Sequence, residues 1–154
     1  MNDYKVKVVE FPEKRLVGMK VSTTMSKAEV DCPAIWHTFG PRIVEIVSGN
    51  CPGSYGLSIM LNEQDFDYWA AVESDFADPL PGGMARIKIP AGLYAKAEVP
   101  NLESLGPAYM YLYDKWLKDQ SEYTADYKAA GFEFYPPNWQ PAEALEIFMP
   151  LIKA

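Results

Sequence analysis

Histidine is all but absent from this chain of 154 residues: His37 is the single one, and only two cysteines, Cys32 and Cys51, accompany it. A His-cluster metal site is thereby excluded, and two thiols fall short of the four ligands a structural zinc ion takes. No cofactor is implied. GxxxxGK followed by Ser or Thr, GxGxxG and GxSxG are all missing, so neither a phosphate-cradling loop nor a nucleophile elbow is encoded. His37 stands five residues from Cys32, a poor helical offset for a nucleophilic pair, and beside Trp36 it reads as a helix-surface residue. No apolar run spans a bilayer, and the opening MNDYKVKVVE lacks the apolar stretch of a signal peptide. The expectation is a cytoplasmic protein, away from membranes, with reduced thiols. Basic residues are in deficit: 14 Lys and Arg face 21 Asp and Glu, for a net charge of −7. Nucleic acids are polyanions bound mainly through Lys and Arg. The chain is not expected to bind one by itself; its field attracts cations.

What is abundant is aromatic: 14% of residues are Phe, Trp or Tyr, within an ordinary 49% hydrophobic content. The length suits a single domain, 1–154, with one core. Within it the second half echoes the first. RLVGMKVS from Arg15 lies over GLYAKAEV from Gly92 (92 − 15 = 77), and YWAAVESD from Tyr68 lies over LEIFMPLI from Leu145 (145 − 68 = 77). Identity is almost nil, so the match rests on order and periodicity. It gives one unit at about 1–76 and a second at about 84–154, joined through ADPLPGGM, Ala77 to Met84. Paired units of this kind leave a groove for a ligand along their seam.

Alternation predicts strands at Tyr4 to Phe11, Arg15 to Ser22, Tyr55 to Leu61, Phe66 to Val72, Arg86 to Ile89, Leu93 to Val99, Phe132 to Tyr135 and Leu145 to Leu151. Asp31 before Pro33 signals a helix start, and Ile35, Phe39 and Ile43 form its apolar stripe, broken at Gly40-Pro41. A second helix spans Glu103 to Lys118, with Leu105, Leu112 and Trp116 on one face. The fold class is α+β: two strand–helix–hairpin units forming one antiparallel sheet, helices on one face, the other face covered or used.

Side chains alternate sides along a strand. Leu145, Ile147 and Met149 make a wholly apolar row that should meet the helices, as should Phe132 and Phe134. Glu146 and Phe148 then face away, with Glu133 and Tyr135 beside them if the hairpin pairs that way. At the 77-residue offset Glu146 matches Trp69, Phe148 matches Ala71, Glu133 matches Gly56 and Tyr135 matches Ser58. Rings and charge on one side with small residues on the other make a pocket wall suited to a flat or lipophilic cation, which gains Coulomb attraction and cation–π contact. Tyr94, Tyr111 and Trp139 are placed to reach the same space. Glu146 on an open sheet face, its charge simply in water, is an equal reading of the spacing. Glu133 and Glu146 on adjacent strands, with Tyr135, would also suit acid–base work, because close carboxylates split their pKa values.

The segments YGLSIMLNEQDFDYWAAVESD, PGGMARIKIPAGLYAKAEVP, YLYDKWL, GFEFYP and LEIFMPLIK follow one another in an order that resembles the GyrI-like small-molecule-binding domains, relatives of the effector-binding domains of AraC-type and multidrug-responsive regulators. The resemblance covers nearly the whole chain, and IPAGLYA and EIFMP are its most specific pieces. It implies two units about a pseudo-two-fold axis and a cleft whose glutamate and aromatics bind lipophilic, often cationic, compounds. By motif, Glu146 and Glu133 match its acidic positions, Tyr135 and Phe148 flank them, and Glu73 matches an acidic strand position. Some relatives hydrolyse strained electrophiles with cleft Glu and Tyr, and some inhibit a partner protein; both stand as alternatives to plain binding. AAVESD lacks the glycine that usually precedes its valine, and AEVPN lacks the histidine many members carry. No helix-turn-helix fits before Tyr4, so a stand-alone ligand domain is expected, with exposed Tyr and Trp on a sheet edge that would support a homodimer.

Overall fold

The computed structural model describes residues 4–154; residues 1–3, at the start of the stretch read as lacking a leader, lie outside the described residues. Nine strands form one antiparallel sheet: β1 Val6–Phe11, β2 Lys14–Thr24, β3 Ser54–Met60, β4 Asp65–Glu73, β5 Ala85–Ile89, β6 Gly92–Val99, β7 Tyr123–Ala125, β8 Gly131–Tyr135 and β9 Leu145–Lys153. The order across it is β1-β6-β9-β8-β3-β4-β2-β5, with β7 also on β9. Two helices complete the fold, α1 Ala28–Phe39 and α2 Leu105–Met110. Among the described residues no helix is long and apolar enough to cross a membrane.

The sheet order reads the same from either end when β1 is matched with β5, β6 with β2, β9 with β4 and β8 with β3. β3 and β8 meet at the centre, with Gly56 directly opposite Glu133. The offset is not uniform. At 77 residues Val17 would match Tyr94, yet Val17 packs under α1 while Tyr94 packs on the opposite face. Leu16, which shares Tyr94's face, is the better match (94 − 16 = 78).

Both helices lie on one face. α1 buries Phe39 and Ile35 on Val17, Ala70 and Val72, and α2 lays Ala108 and Leu105 on Ala95, Ala97, Ile147 and Met149. Alanines on the strands let the helix backbones come close. α1 starts at Ala28, earlier than the Asp31 signal, and Pro33 lies inside it. Asp31 instead accepts the Thr23 hydroxyl at 2.8 Å. α1 stops at Phe39, and a 3-10 turn, Gly40–Glu45, carries Pro41. The second helix is also composite, α2 running into a π-helical segment, Tyr111–Trp116.

The helix-free face is not open. β1 and β2 sit near opposite ends of the sheet, yet only Pro12 and Glu13 join them; Pro90 and Ala91 alone join β5 to β6. Two residues reach only about 10 Å, so the sheet curls until its ends meet. Inside the curl Leu16, Leu57, Ile89, Tyr94, Phe132 and Phe148 form a second core. Phe132 and Phe134 therefore face away from the helices, contrary to the expectation from their pattern.

Candidate functional site

Between α1 and α2, on the helix-bearing face, one carboxylate is almost completely buried. Glu133 on β8 is 4% exposed. Pairing puts it opposite Gly56 on β3 and Ile147 on β9. Tyr68 from β4 and Tyr135 from β8 donate their hydroxyls to Oε1 at 2.7 and 2.9 Å, and Tyr109 from α2 donates to Oε2 at 2.8 Å. The Tyr68 oxygen in turn accepts the indole N–H of Trp36, from α1, at 2.9 Å. Trp36 stands edge-on to Tyr135 at 5.7 Å between ring centroids, and Trp139 packs against the same ring at 4.7 Å. Trp139 is held in its loop by an indole N–H bond to Glu143 O and by Asn138 in the left-handed region at φ 59°. Gly56 makes room for the cluster: a Cβ there would come within 2.6 Å of Glu133 Oε1 and closer still to the Tyr68 hydroxyl.

Among the described residues no Lys or Arg pairs with Glu133. Burial raises its carboxyl pKa above the ordinary 4.5, and the three tyrosine hydrogen bonds oppose that rise. The tyrosines are pushed above their ordinary range, first by burial and then by the negative Glu133. Cys32, half-buried on α1, is pushed up to about 12 by burial, then Glu133, then Asp31. The seam is therefore a low-dielectric, aromatic place around a carboxylate that has no cationic partner among the described residues.

A model of the GyrI-like small molecule binding domain matches residues 4–152. The chain belongs to that family. The GyrI-like fold is shared with the structure of SAV2435 bound to tetraphenylphosphonium, at a TM-score of 0.74 and 18% identity, over 98% of this chain and 94% of that one. The C-terminal domain of EcmrR gives a TM-score of 0.69 at 20% identity, over 98% and 99% of the two chains. In sequence, the transcriptional regulator BrlR of Pseudomonas aeruginosa is 28% identical over 94% of this chain and 54% of its own length. The chain thus spans about half the length of that relative.

Within this GyrI-like frame, the residues expected to line one cleft divide between two faces. Glu133, Tyr135 and Trp139 come together on the helix side. Glu146 does not join them. β8 pairs Phe134, not Glu133, with Glu146, and a register shifted by one residue exchanges the faces. Glu146 lies at the rim of the curled face, 3.1 Å from Lys96. Phe148 is stacked on Phe132 at 4.5 Å inside the curl, and Trp69 is buried in the same core. Tyr94 is there too, its hydroxyl donating to Pro90 O at 2.6 Å. Tyr111 packs on Tyr4 at 5.5 Å. Glu73 sits 3.6 Å from Lys14 at a strand end, half-exposed. Tyr68, Tyr109 and Trp36 were missed. The 77-residue offset held a usable signal, since it matches Gly56 to Glu133 and Cys32 to Tyr109 (109 − 32 = 77), opposite walls of one seam.

Proposed function

We propose that this GyrI-like domain captures a lipophilic, aromatic cation between α1 and α2, with Glu133 as the counter-charge and Trp36, Tyr68, Tyr109, Tyr135 and Trp139 as the walls. One observation carries the reading: a carboxylate 4% exposed has no cationic partner among the described residues. A buried, unpaired charge is costly, and a cation that sheds its own weak hydration removes that cost. Ring faces around it add cation–π attraction of about 0.5–2 kcal/mol each. Hydroxyls close over the carboxylate in this structure, so entry requires the aromatic edges at Trp36, Tyr135 and Trp139 to part. Tetraphenylphosphonium, bound in the structural relative SAV2435, has the expected chemistry. Binding without turnover is the reading favoured, since three tyrosine hydroxyls already engage the Glu133 carboxylate.

A panel of planar and globular aromatic cations, titrated against the tryptophan fluorescence of the chain, tests this. Quenching that saturates, and that is lost in Glu133→Gln, is the expected result. Saturable binding that persists unchanged in Glu133→Gln refutes the electrostatic role. Conversion of an electrophile by the wild-type chain, followed by mass spectrometry, would favour a hydrolase.

A further inference from the structure

Glu133 has few free acceptor positions, and this bears on which cations suit it. A carboxylate offers about four lone-pair sites. The Tyr68 and Tyr135 hydroxyls take two on Oε1, and Tyr109 takes one on Oε2. The Tyr68 oxygen is itself occupied by the Trp36 indole N–H. Beyond the last site on Oε2, the acceptors within the cluster are the oxygens of Tyr109 and Tyr135, whose O–H bonds already point at the carboxylate. Everything else facing the seam from Trp36, Tyr135 and Trp139 is ring surface.

A cation with several N–H donors finds one free carboxylate site and otherwise only phenol oxygens already committed as donors; donors beyond these strip tyrosines from the carboxylate or stay buried without partners, and each unmade bond is costly. A cation without donors interacts with the same charge through space and leaves all three hydroxyls in place. We propose that the Glu133 cluster selects cations that carry no N–H donors, quaternary ammonium or phosphonium, over primary ammonium and guanidinium groups of similar size; this rests on the reading of Glu133 as the cation's counter-charge. The tyrosines on this account are specificity determinants, because they take three of the carboxylate's acceptor sites without neutralising it.

The test is calorimetric titration of the full chain with a matched pair, triphenylpropylammonium and its N-trimethyl counterpart, in wild type, Tyr109→Phe and Tyr135→Phe. In wild type the trimethyl ion is expected to bind about tenfold more tightly. Loss of the Tyr109 hydroxyl frees a second site on Oε2 for an N–H donor, so the preference should shrink in Tyr109→Phe, and likewise with a site on Oε1 in Tyr135→Phe. Added methyl groups alone would give a preference that neither variant changes, and that result overturns the proposal. So does equal or tighter binding of the primary ammonium by wild type, which leaves the cation reading standing. Failure of both ions to bind wild type overturns the two together.

Discussion

Gly56 and Glu133 lie directly opposite each other where the two halves of the sheet meet, and the missing side chain of the first is the space used by the second. Gly56→Ala would press a methyl group against the Oε1 atom and the Tyr68 hydroxyl, both fixed by hydrogen bonds. Overpacking of this kind costs about 1–3 kcal/mol. Urea denaturation of Gly56→Ala should show a loss in that range and a weakened response to cations. A variant as stable as wild type would mean that the carboxylate has slack.

Glu133→Ala and Glu133→Gln should part company. Alanine leaves three tyrosine hydroxyls without their acceptor in a dry site, at about 1–3 kcal/mol for each group that water cannot reach. Glutamine keeps an acceptor oxygen and removes the buried charge. Thermal unfolding is expected to show Glu133→Ala well below wild type and Glu133→Gln near or above it.

The pH dependence follows from the raised pKa of Glu133. Between the ordinary 4.5 and the higher folded value, the folded chain holds a proton that the unfolded chain has released. Stability therefore falls as pH rises through this window, and the contribution is fully present only below it. Wild type should gain stability relative to Glu133→Gln on acidification through the window. Affinity for an aromatic cation should fall over the same window as the carboxylate takes up its proton. A pH-independent difference between the two chains would contradict the assignment.

Cys32 reports on the same charge. Its thiol is pushed up to about 12, with Glu133 the second cause after burial. Alkylation by iodoacetamide, followed on the Cys32 peptide by mass spectrometry, should be slow in wild type and faster in Glu133→Gln. Equal rates would show that burial alone governs the thiol.

Much of the fold was legible because its elements are strongly periodic: strand alternation, the Ile35–Phe39 stripe and the break at Gly40-Pro41 all have local causes. The three-residue β7 carries no such pattern, and the curl of the sheet follows from how the strands are ordered, which no single segment encodes. The candidate site was half legible. Glu133, Tyr135 and Trp139 were singled out, but the face they share was set by a β8–β9 register that a nine-residue connection, 136–144, leaves free. The apolar row Leu145, Ile147 and Met149 was rightly placed against the helix, whereas Glu133, opposite Ile147, was assigned to the other face because Phe132 and Phe134 make the more apolar row of β8. Its tyrosine donors come from β4 and α2, distant in sequence, and make its place on the helix side tolerable.

Glu133→Gln and Glu146→Gln, titrated side by side with tetraphenylphosphonium by calorimetry, test the account most directly. Glu146 is partly exposed and paired with Lys96, so its loss should cost about 0–1 kcal/mol of stability and leave cation affinity intact. Glu133→Gln should lose that affinity. Binding retained in Glu133→Gln and abolished in Glu146→Gln would place the cation on the other face of the sheet and contradict the account.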